Sequence, residues 1–190
     1  MPPTAGSSTA ERPQQPRFYY DLGSPESYLV AERALHALGE VPEWIPVTTG
    51  AGPAFRCAEE VASYKEDVER RAAALGLMAL RWPEPFPADT SWAMLAATYA
   101  KGIGRGVAFS LAAFRQAFAA GRDLSVQANV LIAAAACEMH PAAVVKGAAL
   151  ASTARALEEN NARAAADGVD AVPAIWTPDG LLAGERAVPA

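Results

Sequence analysis

The pattern of apolar and polar residues in the first quarter of the chain is that of a strand, a helix and a second strand. The aromatic run over 17–22 predicts a strand. Residues 25–39 repeat apolar positions at helical spacing, begin at Pro25, which suits a first helical turn, and end at Gly39, which allows a left-handed exit. Residues 41–47 predict a short strand, whose two prolines place it at a sheet edge. This order predicts a βαβ unit with a right-handed crossover.

The middle of the chain is helical, and the strand pattern returns only near the end. Alanine-rich, helically spaced segments predict helices over 58–75, 91–101, 107–120, 126–139, 141–150 and 153–167. The proline-rich stretch RWPEPFP over 81–87 must be a loop. After the last helix, AIWT, the turn PDG and LLAG predict a β-hairpin.

Two groups of strands separated by about one hundred helical residues predict a single α/β sheet that is split by an insertion. Neither group has enough strands to form a stable sheet alone. We therefore expect residues 17–52 and 168–190 to form one sheet domain and residues 53–167 to form a helical insertion with its connecting helix. Residues 1–16 are rich in Pro, Ser, Thr and Gln and should form a flexible tail.

Composition excludes several classes of function. The net charge is −5, and the 16 Lys and Arg residues form no basic cluster, which argues against a nucleic-acid partner. The first fifteen residues lack the charged start and apolar run of a secretory signal, and no apolar run reaches the length of a membrane span. We therefore expect a cytoplasmic protein with neither a nucleic acid nor a membrane as partner.

The cysteines and histidines indicate no metal or nucleophilic site. Cys57 and Cys137 lie far apart and match no metal or redox spacing, so we expect both to be packing residues. His36 and His140 have no obvious Cys or Asp partner, which speaks against a catalytic triad or a metal centre.

The stretch SPES over 24–27 has the spacing of a C-P-x-C redox motif in which serine replaces both cysteines. Locally, Ser24 has the position of a helix N-cap, and Ser27 is a structural residue one turn in. The same helix end also stabilises a nearby anion such as a thiolate. A serine cannot exchange disulfides, but its hydroxyl can donate a hydrogen bond to a thiolate that another molecule brings. Both readings of Ser24 stay open at this point.

The stretch GVDAVPAIW near the end contains a proline directly before a predicted strand. A trans proline is the default at a strand start. If the peptide bond before Pro173 were cis, the backbone of Val172 would be exposed and could pair with an extended, peptide-like ligand.

These motifs together resemble the DsbA-type thioredoxin-like superfamily. Within it, the serine-containing branch of kappa-class glutathione transferases and hydroxychromene-carboxylate isomerases looks most similar. The resemblance spans residues 17–190 and implies a thioredoxin-like sheet with a large all-helical insertion. It rests on the order of FYYDLGSPESYLVAERA, YKEDVERRAAALGL, FPADT, AAGRDLSVQANVLIAAA and GVDAVPAIWTPDGLLAGER.

The resemblance also implies a binding site for glutathione or another low-mass thiol. Ser24 would be the catalytic residue that faces the sulfur, and Val172 would pair with the ligand backbone beside cis Pro173. The γ-glutamyl end would be held by Gly184, Glu185 and Arg186. Trp82 and Phe86 would help to wall an aromatic substrate pocket.

Three departures from this branch leave other ligands open. The loop TTGAGPAFR lacks the usual asparagine, no lysine shortly precedes Tyr64, and Asp89 replaces the common asparagine in FPADT. A different small thiol, or none, therefore stays an alternative.

Two functions follow as hypotheses. The first is a thiol-dependent isomerase or transferase that acts on a small aromatic or conjugated substrate, in which Ser24 stabilises the thiolate. The alternative is a non-catalytic thioredoxin-fold protein that binds a small molecule or peptide. A dithiol oxidoreductase is not expected, because SPES carries no sulfur. The resemblance further implies that the chain can form a homodimer.

Overall fold

The computed structural model describes residues 15–37, 40–48 and 54–184, without the side chains of 34–37. The first elements are strand β1 (Arg17–Tyr20), helix α1 (Pro25–Ala37) and strand β2 (Glu43–Pro46). The helices that follow are α2 (Ala58–Ala74), α3 (Ser91–Gly102), α4 (Gly106–Phe114), α5 (Gln127–Ala136), α6 (Pro141–Ala148) and α7 (Ala151–Ala166). The last two strands are β3 (Ala174–Thr177) and β4 (Gly180–Ala183).

The four strands form one mixed sheet in the order β2-β1-β3-β4. Strand β1 runs parallel to β2, as a βαβ unit requires, and antiparallel to β3, while β3 and β4 form the antiparallel hairpin. Strand β2, which carries Pro46, lies at a sheet edge, as its sequence predicts. The expected thioredoxin-like α/β fold is thereby confirmed. The division into two domains stays a prediction.

The register of β1 against β3 determines which residues meet at the carboxyl end of β1. Tyr19 stands opposite Ala174, so Pro173 comes level with Tyr20, the last residue of β1. The Gly184 N–H donates to the carbonyl of Pro173 over 2.8 Å and extends the hairpin by one position. The residues before β3 therefore lie beside the segment that leads from β1 to Ser24.

Alternate residues of β1 pack on opposite faces of the sheet, as the two-residue period of a strand requires. Phe18 and Tyr20 are fully buried on the face that packs against the helices, and the Tyr20 hydroxyl hydrogen-bonds to Ser110 of α4 over 2.6 Å. On the other face Tyr19 packs with Ala164 of α7 and donates to Asp167. The sheet is thus covered on both sides.

Helices α3 and α6 approach each other closely because Gly147 lacks a side chain. A Cβ atom at Gly147 would lie 2.3 Å from two ring carbons of Tyr99. The missing side chain therefore lets α6 pack directly against the Tyr99 ring of α3.

The structure corrects three expectations from the sequence. The helix expected over 107–120 changes into a π-helical turn at Arg115–Ala119. The helix expected over 126–139 ends at Ala136, because Glu138 adopts a left-handed conformation with φ of 59°. Cys57 is exposed at the N-cap of α2 and is not a packing residue, whereas Cys137 is buried as expected. Both thiols are free.

Two features are missing from the described part of the chain. No helix there combines the length and the apolar character that crossing a bilayer demands. Nor do three or more His, Cys, Asp or Glu side chains of that part converge on a point where they could hold a metal ion.

Candidate functional site

Ser24 caps helix α1, as the local pattern predicts. Its hydroxyl accepts a hydrogen bond from the Ser27 N–H over 3.0 Å, and its carbonyl accepts from the Tyr28 N–H over 3.2 Å. A tight turn precedes Ser24 and places it at the start of the helix; in this turn the Ser24 N–H donates to the carbonyl of Asp21. Pro25 lacks an N–H, so the Glu26 N–H is the remaining donor of the first turn, and it has no partner among the described residues.

The carboxylate of Asp21 holds the turn that precedes the cap. Its Oδ1 accepts from the Gly23 N–H over 2.7 Å and from the Thr90 hydroxyl over 3.1 Å. Burial raises the pKa of Asp21, and the two hydrogen bonds act in the opposite direction. Asp21 thereby connects the start of α1 to the residue that precedes α3.

Glu26 is a site residue that sequence reasoning missed. Its carboxylate lies 3.4 Å from the Ser24 hydroxyl and accepts from the Tyr64 hydroxyl, with 2.7 Å to each oxygen. Arg71, also on α2, lies 3.4 Å from the same carboxylate. These partners are 38 and 45 residues away along the chain, so no local pattern could reveal them.

Aromatic rings form a wall beside this carboxylate. Tyr64 stacks on Phe86 with ring centroids 6.0 Å apart, and Phe86 meets Trp82 edge-on at 4.8 Å. The indole N–H of Trp82 donates to Glu69, and the Lys65 ammonium lies 5.3 Å from the Trp82 ring. The predicted pair Trp82 and Phe86 is therefore brought together next to Glu26 through Tyr64.

A shallow cleft of about 210 Å³, including its open mouth, lies between this wall and the start of α1. Only about 10 Å³ of it is enclosed space, room for about one water molecule, compared with the roughly 300–1,000 Å³ of typical ligand sites. Phe86 lines it, whereas Trp82 packs behind Phe86. The lining residues are Leu22, Gly23, Pro83, Phe86, Ala88, Thr90, Ala117, Phe118, Arg122 and Leu124.

The Val172–Pro173 peptide bond is cis, and Pro173 is buried while Val172 is half-buried. Within the described ranges, the backbone N–H and carbonyl of Val172 make no hydrogen bond to another backbone group. The strand register places the Val172 backbone at the end of β1 that leads into Ser24. Gly184 lies next to Pro173, whereas the predicted residues Glu185 and Arg186 lie outside the described residues.

His140 serves as a helix cap away from α1. His140 is the N-cap of α6, and its Nδ1 accepts from the Ala142 N–H over 3.2 Å. The side chain of His36 lies outside the described residues.

A four-stranded mixed sheet with a capped first helix and a cis proline before the third strand defines a thioredoxin-like α/β protein. The sequence model of the DSBA-like thioredoxin domain matches residues 17–189, so the chain belongs to this family. The expected DsbA-type superfamily is thereby confirmed. No curated protein matches the chain.

Solved structures share this fold. The chain is similar to a 2-hydroxychromene-2-carboxylate isomerase, with 17% identity, a TM-score of 0.78 and coverage of 90% of this chain and 89% of the other. For a probable DsbA oxidoreductase from Streptomyces coelicolor the identity is 19%, the TM-score 0.71 and the coverage 90% and 83%. The chain is also similar to a putative protein disulfide isomerase from Nitrosomonas europaea. The identity is 14%, the TM-score is 0.67, and the match covers 85% of this chain and 84% of the other.

Proposed function

We propose that this protein is an isomerase or transferase that uses glutathione or a similar low-mass thiol and acts on a small aromatic or conjugated organic substrate. The observation that carries the proposal is the joint position of Ser24 and the backbone of Val172, beside cis Pro173, at one end of the sheet. The fold it shares with a 2-hydroxychromene-2-carboxylate isomerase supports the same class of reaction.

The described residues offer groups that fit a thiol ligand with a peptide backbone. No described backbone group pairs with the N–H and carbonyl of Val172 beside cis Pro173, and an extended ligand could pair with them. Ser24 and the unused Glu26 N–H can donate to the ligand's sulfur. When bound, the thiol would supply the nucleophile. Glu185 and Arg186, which are proposed to hold the γ-glutamyl end, belong to the same hypothesis.

The chain's own residues would hold the ligand in place and supply the electrostatic field that stabilises its sulfur. Ser24 would stabilise negative charge on sulfur through its O–H, and the start of α1 would add its unused amide. A small conjugated substrate would lie against the ring of Phe86 at the open mouth of the cleft. Three expectations from the sequence stay predictions: that the chain forms a homodimer, that it is cytoplasmic, and that it is related to the kappa-class glutathione transferases.

Isothermal titration with glutathione tests the thiol-binding step. We expect wild type to bind and Ser24→Ala to bind about tenfold more weakly or worse, because a hydrogen bond to a charged group is lost. Ser152→Ala is the matched control, since it removes an exposed serine hydroxyl on α7. Absence of binding by wild type, or equal binding by Ser24→Ala, would contradict the proposal.

Dithiol oxidoreductase activity is not part of this proposal. SPES contains no cysteine, and Cys57 and Cys137 are free, one exposed and one buried. We expect no reduction of insulin disulfides by the protein, and activity in that assay would overturn this judgement.

The alternative, a binding protein without turnover, is favoured by one feature. The Ser24 hydroxyl already lies within reach of the Glu26 carboxylate, which competes for its proton. Metabolite capture that returns a ligand the protein does not convert would support this alternative. Turnover that disappears in Ser24→Ala would count against it.

A further inference from the structure

Thr90 precedes helix α3 but does not use its hydroxyl to cap that helix. It occupies the N-cap position, where the side-chain oxygen of a threonine commonly accepts from a first-turn N–H. No such hydrogen bond forms from the Thr90 side chain within the described structure. The Ser91 N–H donates instead to the Asp89 carboxylate over 2.9 Å. The Thr90 hydroxyl is therefore available for another role.

The Thr90 hydroxyl donates its one hydrogen to Oδ1 of Asp21 over 3.1 Å. An ionised carboxylate can only accept, so Thr90 is the donor, and both lone pairs of its oxygen stay available as acceptors. Among the described residues, no donor reaches these lone pairs. The Gly23 N–H also donates to Oδ1 and holds the carboxylate in place. Asp21 thus keeps Thr90 in an orientation in which its hydroxyl can only accept a further hydrogen bond.

Gly23 leaves space beside this hydroxyl. Its φ lies outside the left-handed range, so its backbone conformation does not require glycine. A Cβ atom at this position would lie 3.2 Å from the Thr90 Oγ1 and 3.3 Å from the Asp21 Oδ1. The missing side chain therefore leaves the Thr90 oxygen uncovered on this side.

The cleft beside α1 reaches the same place. Gly23 and Thr90 both line it, and the other described lining side chains are apolar except that of Arg122, which is exposed. The enclosed part of about 10 Å³ has the size of one water molecule, so it can hold a hydroxyl group but no aromatic ring. A ring that carries this hydroxyl would stay at the open mouth, against Phe86.

We propose that Thr90 is a specificity-determining residue that accepts a hydrogen bond from a hydroxyl group of the substrate, and that Asp21 is the positioning residue that keeps Thr90 an acceptor. The inference rests on the proposed function for the kind of substrate, a small conjugated molecule whose ring meets Phe86. It adds that the favoured substrate carries a hydroxyl group on its ring system. A methyl ether of the same molecule has no hydrogen to donate and binds less tightly.

Binding of 2-naphthol and of its methyl ether, 2-methoxynaphthalene, tests the inference without glutathione. The two probes share one ring system and differ in the hydrogen that Thr90 would accept. Titration of the protein with each probe, followed by ligand-observed NMR, gives the ratio of the two dissociation constants. Wild type should bind 2-naphthol about fivefold more tightly than the ether, because one hydrogen bond is gained.

Substitutions of Thr90 locate the source of this preference. Thr90→Val has a similar shape without the hydroxyl and should bring the ratio to about one, whereas Thr90→Ser keeps the hydroxyl and should retain the ratio. Thr177→Val is the matched control, because the Thr177 hydroxyl donates to the Gly180 carbonyl in the β3–β4 hairpin. We expect the control to keep the wild-type ratio. Circular dichroism checks that each variant folds.

Two variants of Asp21 test its positioning role. Asp21→Ala frees the Thr90 hydrogen to donate to the ether oxygen, so the ratio should fall towards one. Asp21→Asn can still accept from Thr90 through its amide oxygen and should keep the wild-type ratio. A residue needed only for folding would not change the ratio between two probes of the same ring system. An unchanged ratio in Asp21→Ala would therefore contradict the positioning role.

Three results would overturn the role of Thr90: no saturable binding of 2-naphthol by wild type, a wild-type ratio near one, or an equal fall of the ratio in Thr90→Val and Thr177→Val. Calorimetry with glutathione tests the proposed function separately. If glutathione does not bind while the ratio falls only in Thr90→Val, the role of Thr90 stands and the proposed function fails. If glutathione binds and Thr90→Val keeps the wild-type ratio, the proposed function stands and the inference fails.

Discussion

The hydroxyl of Ser24 accepts a hydrogen bond from the N–H of Ser27 over 3.0 Å, so the residue proposed to meet a ligand's sulfur is also a helix cap. These two roles use different parts of the hydroxyl. Capping needs only the oxygen as an acceptor, whereas stabilising a thiolate needs the O–H as a donor. Substitutions at Ser24 can therefore separate them.

Ser24→Asp should keep the cap and lose the proposed thiol contact. Aspartate caps helices as well as serine and, when ionised, has no hydrogen to donate, whereas Ser24→Ala should lower the free energy of unfolding by about 1 kcal/mol. We expect near-wild-type stability in urea for Ser24→Asp, together with weakened glutathione binding in calorimetry. If Ser24→Asp binds glutathione like wild type, the hydroxyl has no role beyond capping.

Ser27→Ala should leave stability unchanged or raise it by up to about 1–2 kcal/mol. Ser27 is fully buried, and its Oγ has no hydrogen-bond partner in the described structure. An unpaired buried hydroxyl costs free energy that alanine does not incur. Urea unfolding measures the change. A loss of more than about 1 kcal/mol would mean that the Ser27 hydroxyl makes a stabilising hydrogen bond after all.

Asp21→Asn should stabilise the protein at neutral pH more than at low pH. Burial raises the folded-state pKa of Asp21 above the unfolded value of about 3.9, so its contribution to stability falls as the pH rises through the folded pKa. Asparagine can still accept from Gly23 and Thr90. The gain over wild type, measured by urea unfolding, should grow between about pH 3 and pH 7. A gain that shrinks over that range would contradict this sign.

Gly147→Ala should destabilise the helical layer by about 1–3 kcal/mol, because the new methyl group would overlap the Tyr99 ring. Gly102→Ala, at the end of α3, is the control, since a Cβ there would contact nothing within 4 Å. Thermal unfolding of both variants compares them. Equal melting temperatures would show that Tyr99 moves aside without cost.

Local patterns predicted most of the fold because each element carries its own signal. Helix α2 was expected over 58–75 and spans Ala58–Ala74, and the β2 edge followed from its prolines. The π-helical turn at Arg115–Ala119 could not be predicted, because its sequence continues the helical spacing of α4. Similarly, nothing local indicates that Glu138 ends α5.

Only those residues of the candidate site that belong to a short sequence motif could be predicted. SPES indicated the cap at Ser24, and VPAIW indicated the proline before β3. The link from Glu26 to Tyr64 and Arg71 joins two helices that are distant in the sequence, so it emerged only from the fold.

The most direct test of the central claim is a titration of the isotopically labelled protein with glutathione, followed through its backbone amide NMR signals. If Ser24 and Val172 form one thiol site, the amide signals of Glu26, Ser27 and Val172 should shift together and saturate at a common concentration. Signals that stay in place at millimolar glutathione, or shifts confined to other parts of the chain, would contradict the account.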